Sequence, residues 1–190
     1  RLRWAIKSPA PAGKAGEQWG DYDYCESLAA ALRRLGQDVV VDRRERPVRQ
    51  ESSHLDDVVL AVRGLYRFDP QPGAVSMLWV ISHPSKVNAF EMRRFDHVFA
   101  ASPTWAERMR VAHDIDVETL LQATDTTRFH PGRKGEFPAH DVLFVGSSRH
   151  VNRWIVREAL AHDVPMTLYG QLWERFLAPH QIAGDEARRT

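Results

Sequence analysis

The feature that most constrains this chain is a repeated alternation of short apolar runs with amphipathic stretches. Apolar runs fall at residues 2–6, 39–41, 58–62, 77–81, 97–100 and 117–121, and each ends in polar or turn-forming residues. Between them lie segments with apolar residues three and four apart, as at Tyr24, Leu28, Leu32 and Leu35. That is the period of a helix with one buried face. Strands that are apolar throughout need cover on both faces, and intervening helices supply it. The region up to about Asp125 therefore reads as a doubly wound, parallel α/β sheet.

Local signals mark element ends. Asp21 is expected to cap the first long helix and Gly36 to stop it. Residues 89–94 are expected to be helical, and Ser102 followed by Pro103 opens a helix running toward Val111. The pattern lapses from Thr126 to His140, where Phe129, Pro131, Gly132, Gly135 and Pro138 read as a linker. It restarts with strands at 142–145 and 166–169 around a helix at 152–161. That is about one βαβ repeat, too few strands to bury both faces of a sheet. The expected organisation is a Rossmann-like domain over residues 1–127, a linker over 128–140, and an incomplete second Rossmann-like unit over 141–190.

Charge and cysteine usage narrow the function classes. The formal net charge of the 190 residues is +1, without the basic excess of a nucleic-acid binder. Cys25 is the only cysteine, so no internal disulfide can form, which fits a reducing, cytoplasmic setting. No apolar run reaches the roughly 18 residues a membrane span requires, so no transmembrane segment is expected. No signal-peptide pattern is present, and the first residue, Arg1, reads as a trimmed start.

In open α/β sheets ligands bind beyond the carboxyl ends of the strands, and four such ends carry unusual residues. The loop from Lys7 to Asp21 holds Gly13, Gly16, Trp19 and Gly20 and feeds a helix start. It matches neither G-x-G-x-x-G nor a P-loop, so it is either a ligand-approaching loop or a plain surface loop. Ser82-His83-Pro84 follows an apolar strand; its histidine could donate to a ligand hydroxyl or a forming charge, or be held structurally by the proline turn. Phe144-Val145-Gly146-Ser147-Ser148-Arg149, followed by Arg153, combines strand, glycine turn and helix start. Backbone N–H groups there could surround an anion, and two arginines a turn apart could grip a diphosphate. The plainer alternative is a tight turn with exposed arginines. Gln122-Ala123-Thr124-Asp125 would face an interdomain cleft, although Thr and Asp also favour turns.

Other patterns point away from chemistry. Asp21-Tyr22-Asp23 and Asp114-Ile115-Asp116 both spell D-x-D, but helix capping accounts for the first and a turn for the second, so no metal is expected. The histidines lack H-E-x-x-H spacing, one cysteine cannot build a thiolate zinc site, and no G-x-S-x-G elbow occurs. Cys25 reads as a small buried residue. A dinucleotide-dependent dehydrogenase is disfavoured, because the glycine fingerprint is missing and Asp42 is the only acidic candidate after the second strand.

Several segments occur together in a suggestive order. They are Trp19-Gly20-Asp21, Arg63-Gly64, Trp79 through His83-Pro84, Phe95-Asp96, Ala101-Ser102, Leu121 through Asp125, Phe129-x-Pro131, and Phe144-Val145-Gly146 through Arg149. In this order the chain resembles bacterial glycosyltransferases of the GT-B fold, in the group-1 family and its spore-maturation-protein-like relatives. The resemblance implies two Rossmann-like domains facing across a cleft, with the acceptor on the first and a nucleotide diphosphate sugar on the second. It implies that His83 is the catalytic-side contact to the donor sugar and that Gly146, Ser147, Arg149 and Arg153 hold the diphosphate. Tyr169 and Gly170 would lie near the nucleotide, Trp19, Gly20 and Asp21 in the acceptor-side loop, and Asp125 in the cleft. It further implies transfer with retention, without metal or cofactor. Such enzymes continue past the point corresponding to Thr190 with an acidic donor-binding motif. The parent is therefore expected to be the enzyme and this chain alone to be inactive. The alternative is a non-catalytic sugar- or nucleotide-binding module completed by a partner chain.

Overall fold

The computed structural model describes residues 1–133 and 138–177. The chain divides into two compact units, Arg1–Phe129 and His130–Thr190. The first is an α/β unit whose strands are β1 Arg3–Ser8, β2 Asp38–Arg43, β3 Val58–Arg63, β4 Val75–Val80, β5 His97–Ala100 and β6 Glu118–Thr119. All neighbours pair in parallel, in the order β2-β1-β3-β4-β5-β6. Helices α1 Lys14–Glu17, α2 Gly20–Arg34, α3 Ala89–Met92 and α4 Pro103–His113 connect them. The expected six-stranded parallel sheet with flanking helices is what forms, compatible with a Rossmann-like arrangement.

The helix ends follow local chemistry, with one correction. Ser102 caps α4, its Oγ accepting from the Trp105 N–H, with Pro103 in the first turn. α2 ends at Leu35 with the Gly36 N–H bonded to the Arg33 carbonyl and Gln37 N–H to that of Leu32, the paired bonds of a Schellman stop. Asp21 does not cap α2. Trp19 occupies that position in an extended conformation, and Asp21 and Asp23 sit in the first turn. Their carboxylates there offset the positive end of the helix dipole without capping it.

Two elements are shorter than expected. β6 spans only Glu118–Thr119; just beyond it the Leu120 N–H still bonds the Ala100 carbonyl at 3.0 Å, while the Leu120 carbonyl accepts from the Trp79 indole at 2.8 Å. α3 ends at Met92, only a turn after Asn88 Oδ1 accepts the Glu91 N–H at 2.9 Å.

Each face of the sheet has its own core. Leu78, Val80, Val98 and Ala100 pack with Met92 of α3 and with Trp105 and Ala106 of α4. On the other face Cys25 and Ala29 of α2 meet Ile6, Val39, Leu60, Val62 and Trp79. Fully burying each large side chain contributes about 1.5–3 kcal/mol. Successive strand residues alternate faces, so Lys7, next to Ile6, points away from α2. Among the described residues the connection after β2 lies over that side, and it carries charge. Lys7 Nζ lies 2.8 Å from Asp42 Oδ2 and also bonds the Pro47 carbonyl. Arg49 reaches Asp42 at 2.9 Å and Asp56 at 2.5 Å. Burial alone would raise the Asp56 carboxyl, but bonds from Arg49, Gln71 and Arg3 outweigh it and hold the group below its ordinary value.

The second unit contains β7 Leu143–Val145 and β8 Thr167–Tyr169, paired in parallel, and α5 Trp154–Ala161. α5 begins two residues later than expected, because Arg149 and His150 take left-handed conformations and Arg153 is extended. Val145, Val151 and Trp154 are exposed. Among the described residues, no helix is long and apolar enough to cross a membrane.

Candidate functional site

Strand order reverses between β1 and β3, which is where an open α/β sheet leaves a crevice at the carboxyl ends of its strands. The residues following those strands converge there. A Cβ placed on Gly64 would lie 3.3 Å from Ser82 Oγ, 3.6 Å from Pro9 Cγ and 3.9 Å from Asp21 Oδ2. Gly64 thus lets the ends of β1, β3 and β4 and the first turn of α2 approach one another. Trp19, Gly20 and Asp21 belong to this same corner, with the Arg44 guanidinium 5.4 Å from the Trp19 ring and Arg43 4.1 Å from that of Tyr22.

His83 stands at the edge of this crevice. It is exposed and left-handed, with φ 51 and ψ 46, and it heads the short turn Pro84–Lys86. For a non-glycine residue that conformation costs on the order of 1–3 kcal/mol and persists only where the surroundings enforce it. Its Nδ1 faces Ser82 Oγ at 3.0 Å. The Lys86 N–H closes the turn onto the His83 carbonyl at 2.9 Å.

Cys25, beneath the same corner, carries no nucleophile. It is fully buried. Burial pushes its thiol up to about 12, against smaller opposing effects of the Ser8 hydroxyl and Arg43. The thiolate fraction at pH 8 is then roughly a thousandfold below that of an ordinary cysteine. Reaction with an aromatic disulfide reagent should be slower by at least that factor in the native chain than in guanidinium. Equal rates would show that the thiol is open to solvent.

Asp125 is not among the residues drawn together at Gly64, but it lies beside the same end of α2. It lines a pocket of about 580 Å³ between α2 and residues 123–129, together with Gly20, Asp23, Tyr24, Ser27, Arg34 and Phe129. Several polar groups on its walls pair with one another. The Arg128 guanidinium pairs with Asp23 at 3.2 Å, and the Ala123 N–H reaches the Tyr24 hydroxyl at 3.4 Å. Asp125 Oδ1 accepts from the Thr127 hydroxyl at 2.7 Å and its N–H at 3.0 Å. Those bonds, with smaller help from Ser27 and Arg34, hold its carboxyl below the ordinary range. Ser27, Arg34 and Arg128 escaped the sequence reading. Ser27 and Arg34 share one stripe of α2 with Gly20, and that seven-residue spacing was the available signal.

The glycine turn of the second unit is not an open cradle of N–H groups. The Gly146 N–H donates to the Tyr169 carbonyl at 2.7 Å and the Ser148 N–H to that of Gln171 at 3.0 Å. Ser147 Oγ accepts from the Gln171 N–H at 3.2 Å, and Ser148 Oγ donates to the Leu172 carbonyl at 2.7 Å. Two turns clasp each other, and this engages two of the N–H groups expected to face an anion. The two arginines are not a helical turn apart either. Arg149 is exposed in a left-handed turn, while Arg153 precedes α5 and donates to the Ser147 carbonyl at 3.2 Å. Arg153 Nε is buried and has no partner among the described residues. The Tyr169 hydroxyl meets His140 Nε2 at 3.2 Å, and Thr167 Oγ1 lies 3.1 Å from Nδ1 of the same ring.

No cluster of three or more potential metal ligands occurs among the described residues. Asp23 of the first D-x-D pairs with Arg128, and Asp114 of the second closes α4 in a left-handed conformation. Asp42, expected after the second strand, lies within β2 and is buried in the Lys7 and Arg49 network. Comparison of the chain with protein-family models and with curated proteins returns no match.

Proposed function

We propose that this chain is the acceptor-side domain and the beginning of the donor domain of a GT-B-type glycosyltransferase. The parent enzyme moves a sugar from a nucleotide diphosphate donor to an acceptor, with retention and without a metal. The observation that carries this reading is the convergence of Gly64, Ser82, His83 and Asp21 at the strand-order reversal. His83, at the rim, can donate a hydrogen bond to the donor sugar. In the second unit the unpaired Nε of Arg153, beside the start of α5, can serve a phosphate oxygen. Positive side chains and a helix dipole stabilise a leaving diphosphate without a metal ion.

One observation favours the second reading, a non-catalytic sugar- or nucleotide-binding module completed by a partner chain. The Gly146 and Ser148 N–H groups are engaged internally, which leaves few donors for a diphosphate.

The test is calorimetric titration of this chain, and of a longer parent where one exists, with UDP, GDP and dTDP, followed by Arg153→Ala. Loss of a charge-assisted bond of about 1.5–3 kcal/mol should weaken binding roughly 10- to 100-fold. Unchanged affinity in the variant sinks the donor-site assignment. Binding without sugar transfer by the parent selects the module.

A further inference from the structure

Two ion pairs among the described residues have both side chains almost entirely buried, Lys7 with Asp42 and Arg63 with Glu91. The second lies at the carboxyl end of β3, beside the crevice. Arg63 Nε donates to Glu91 Oε1 at 2.7 Å and one terminal nitrogen to Oε2 at 3.3 Å, a two-pronged contact. The remaining reach of the guanidinium goes to backbone. It donates to the Gly64 carbonyl at 2.6 Å and to the Lys86 carbonyl at 3.1 Å. Gly64 is one wall of the crevice, and Lys86 ends the turn that His83 begins.

A buried ion pair does little for net stability, because desolvation offsets the attraction and well-packed apolar residues serve as well. What an apolar pair cannot supply is the bridge between two carbonyls on separate connections. The planar fork of arginine supplies it from a single side chain. Glu91 fixes that fork from α3, whose first turn is itself held by Asn88.

We infer that Arg63 and Glu91 are positioning residues for His83. The pair ties the Pro84–Lys86 turn to the end of β3 and so maintains the left-handed conformation that sets the imidazole at the crevice rim. This role in the reaction rests on the glycosyltransferase reading above; the hold on the turn does not.

The experiment compares the full chain with R63M/E91L and with R63K. The double variant replaces the pair by apolar residues, and R63K keeps the charge but loses the fork. Three quantities are read: the thermal midpoint, the amide exchange rate of Lys86, and the His83 Cε1–H resonance by NMR. The expected result for R63M/E91L is a midpoint within about 5 °C of wild type, Lys86 exchange at least ~tenfold faster, and a displaced His83 resonance. R63K should show the same two local changes. Folded variants with Lys86 exchange and the His83 resonance unchanged overturn the inference. So does failure of both variants to fold, which would make the pair a core element. Neither readout depends on nucleotide binding, so a chain that binds no nucleotide removes the functional reading while the turn measurement stands on its own.

Discussion

Asp42→Ala is expected to destabilise the first unit by about 3–5 kcal/mol, the cost of leaving a buried charge without its partner. Lys7 Nζ would keep only the Pro47 carbonyl and a 3.4 Å contact to Gln71, and Arg49 would lose its 2.9 Å bond. The Lys7 side chain is 3% exposed and that of Asp42 5%, so water cannot replace the missing charge without opening the connection after β2. In a unit of this size the thermal midpoint should fall by roughly 10–20 °C. The double variant K7M/D42L should cost less than Asp42→Ala alone, because it removes both charges and fills the space with apolar atoms. Denaturant unfolding of the three proteins measures this directly, and a single variant within about 1 kcal/mol of wild type would sink the account. Acid probes the same network through Asp56. Its folded carboxyl titrates below the ordinary value, so its contribution is fully present above the unfolded value of about 3.9. That contribution is lost as pH falls through the folded one.

The sheet was legible because burial writes itself into composition. Residues 58–62 are apolar at every position, and flanked by turn residues such a run fits a strand covered on both faces. The result is β3, buried from Val58 to Arg63. The connection after β2 was illegible for the complementary reason. Arg44, Arg46, Arg49 and Asp56 look like a solvated charged loop, and nothing in their spacing shows that Arg49 reaches a buried Asp42 paired with Lys7. Buried charge carries no period, since its partners are chosen by distance in space.

The site divides the same way. Ser82-His83-Pro84 could be located from the strand that precedes it. Its left-handed turn and its tie to Arg63 could not, because both depend on a residue twenty positions earlier and another eight positions later. The turn at Gly146 shows how a local pattern misleads. Strand, glycine and following arginines specify a turn, but they do not say what its N–H groups meet. Here two of them meet the end of β8 and the turn after it.

Gly170→Ala separates the two explanations of that glycine. The family resemblance implies a place near the nucleotide, where a methyl group would obstruct the ligand and leave the fold alone. The structure gives a packing reason instead. A Cβ at Gly170 would collide with the Gly146 carbonyl oxygen, 2.5 Å from its carbon and 2.8 Å from Ser147 N, at a φ of +141 that side chains rarely adopt. These are backbone atoms on both sides, so no rotamer change relieves them. Conformational strain of about 1–3 kcal/mol and a comparable overpacking cost add to roughly 2–5 kcal/mol. The two strands and one helix described in this unit have little stability to set against that. The expected result is loss of the clasp, read as faster exchange of the Gly146 and Ser148 amides and altered emission of Trp173. That indole donates to the Gly146 carbonyl at 2.9 Å. The amides of β3 and β4 should keep wild-type protection. A variant whose clasp amides and Trp173 emission match wild type, but which no longer binds nucleotide, would return Gly170 to the ligand and refute the packing explanation.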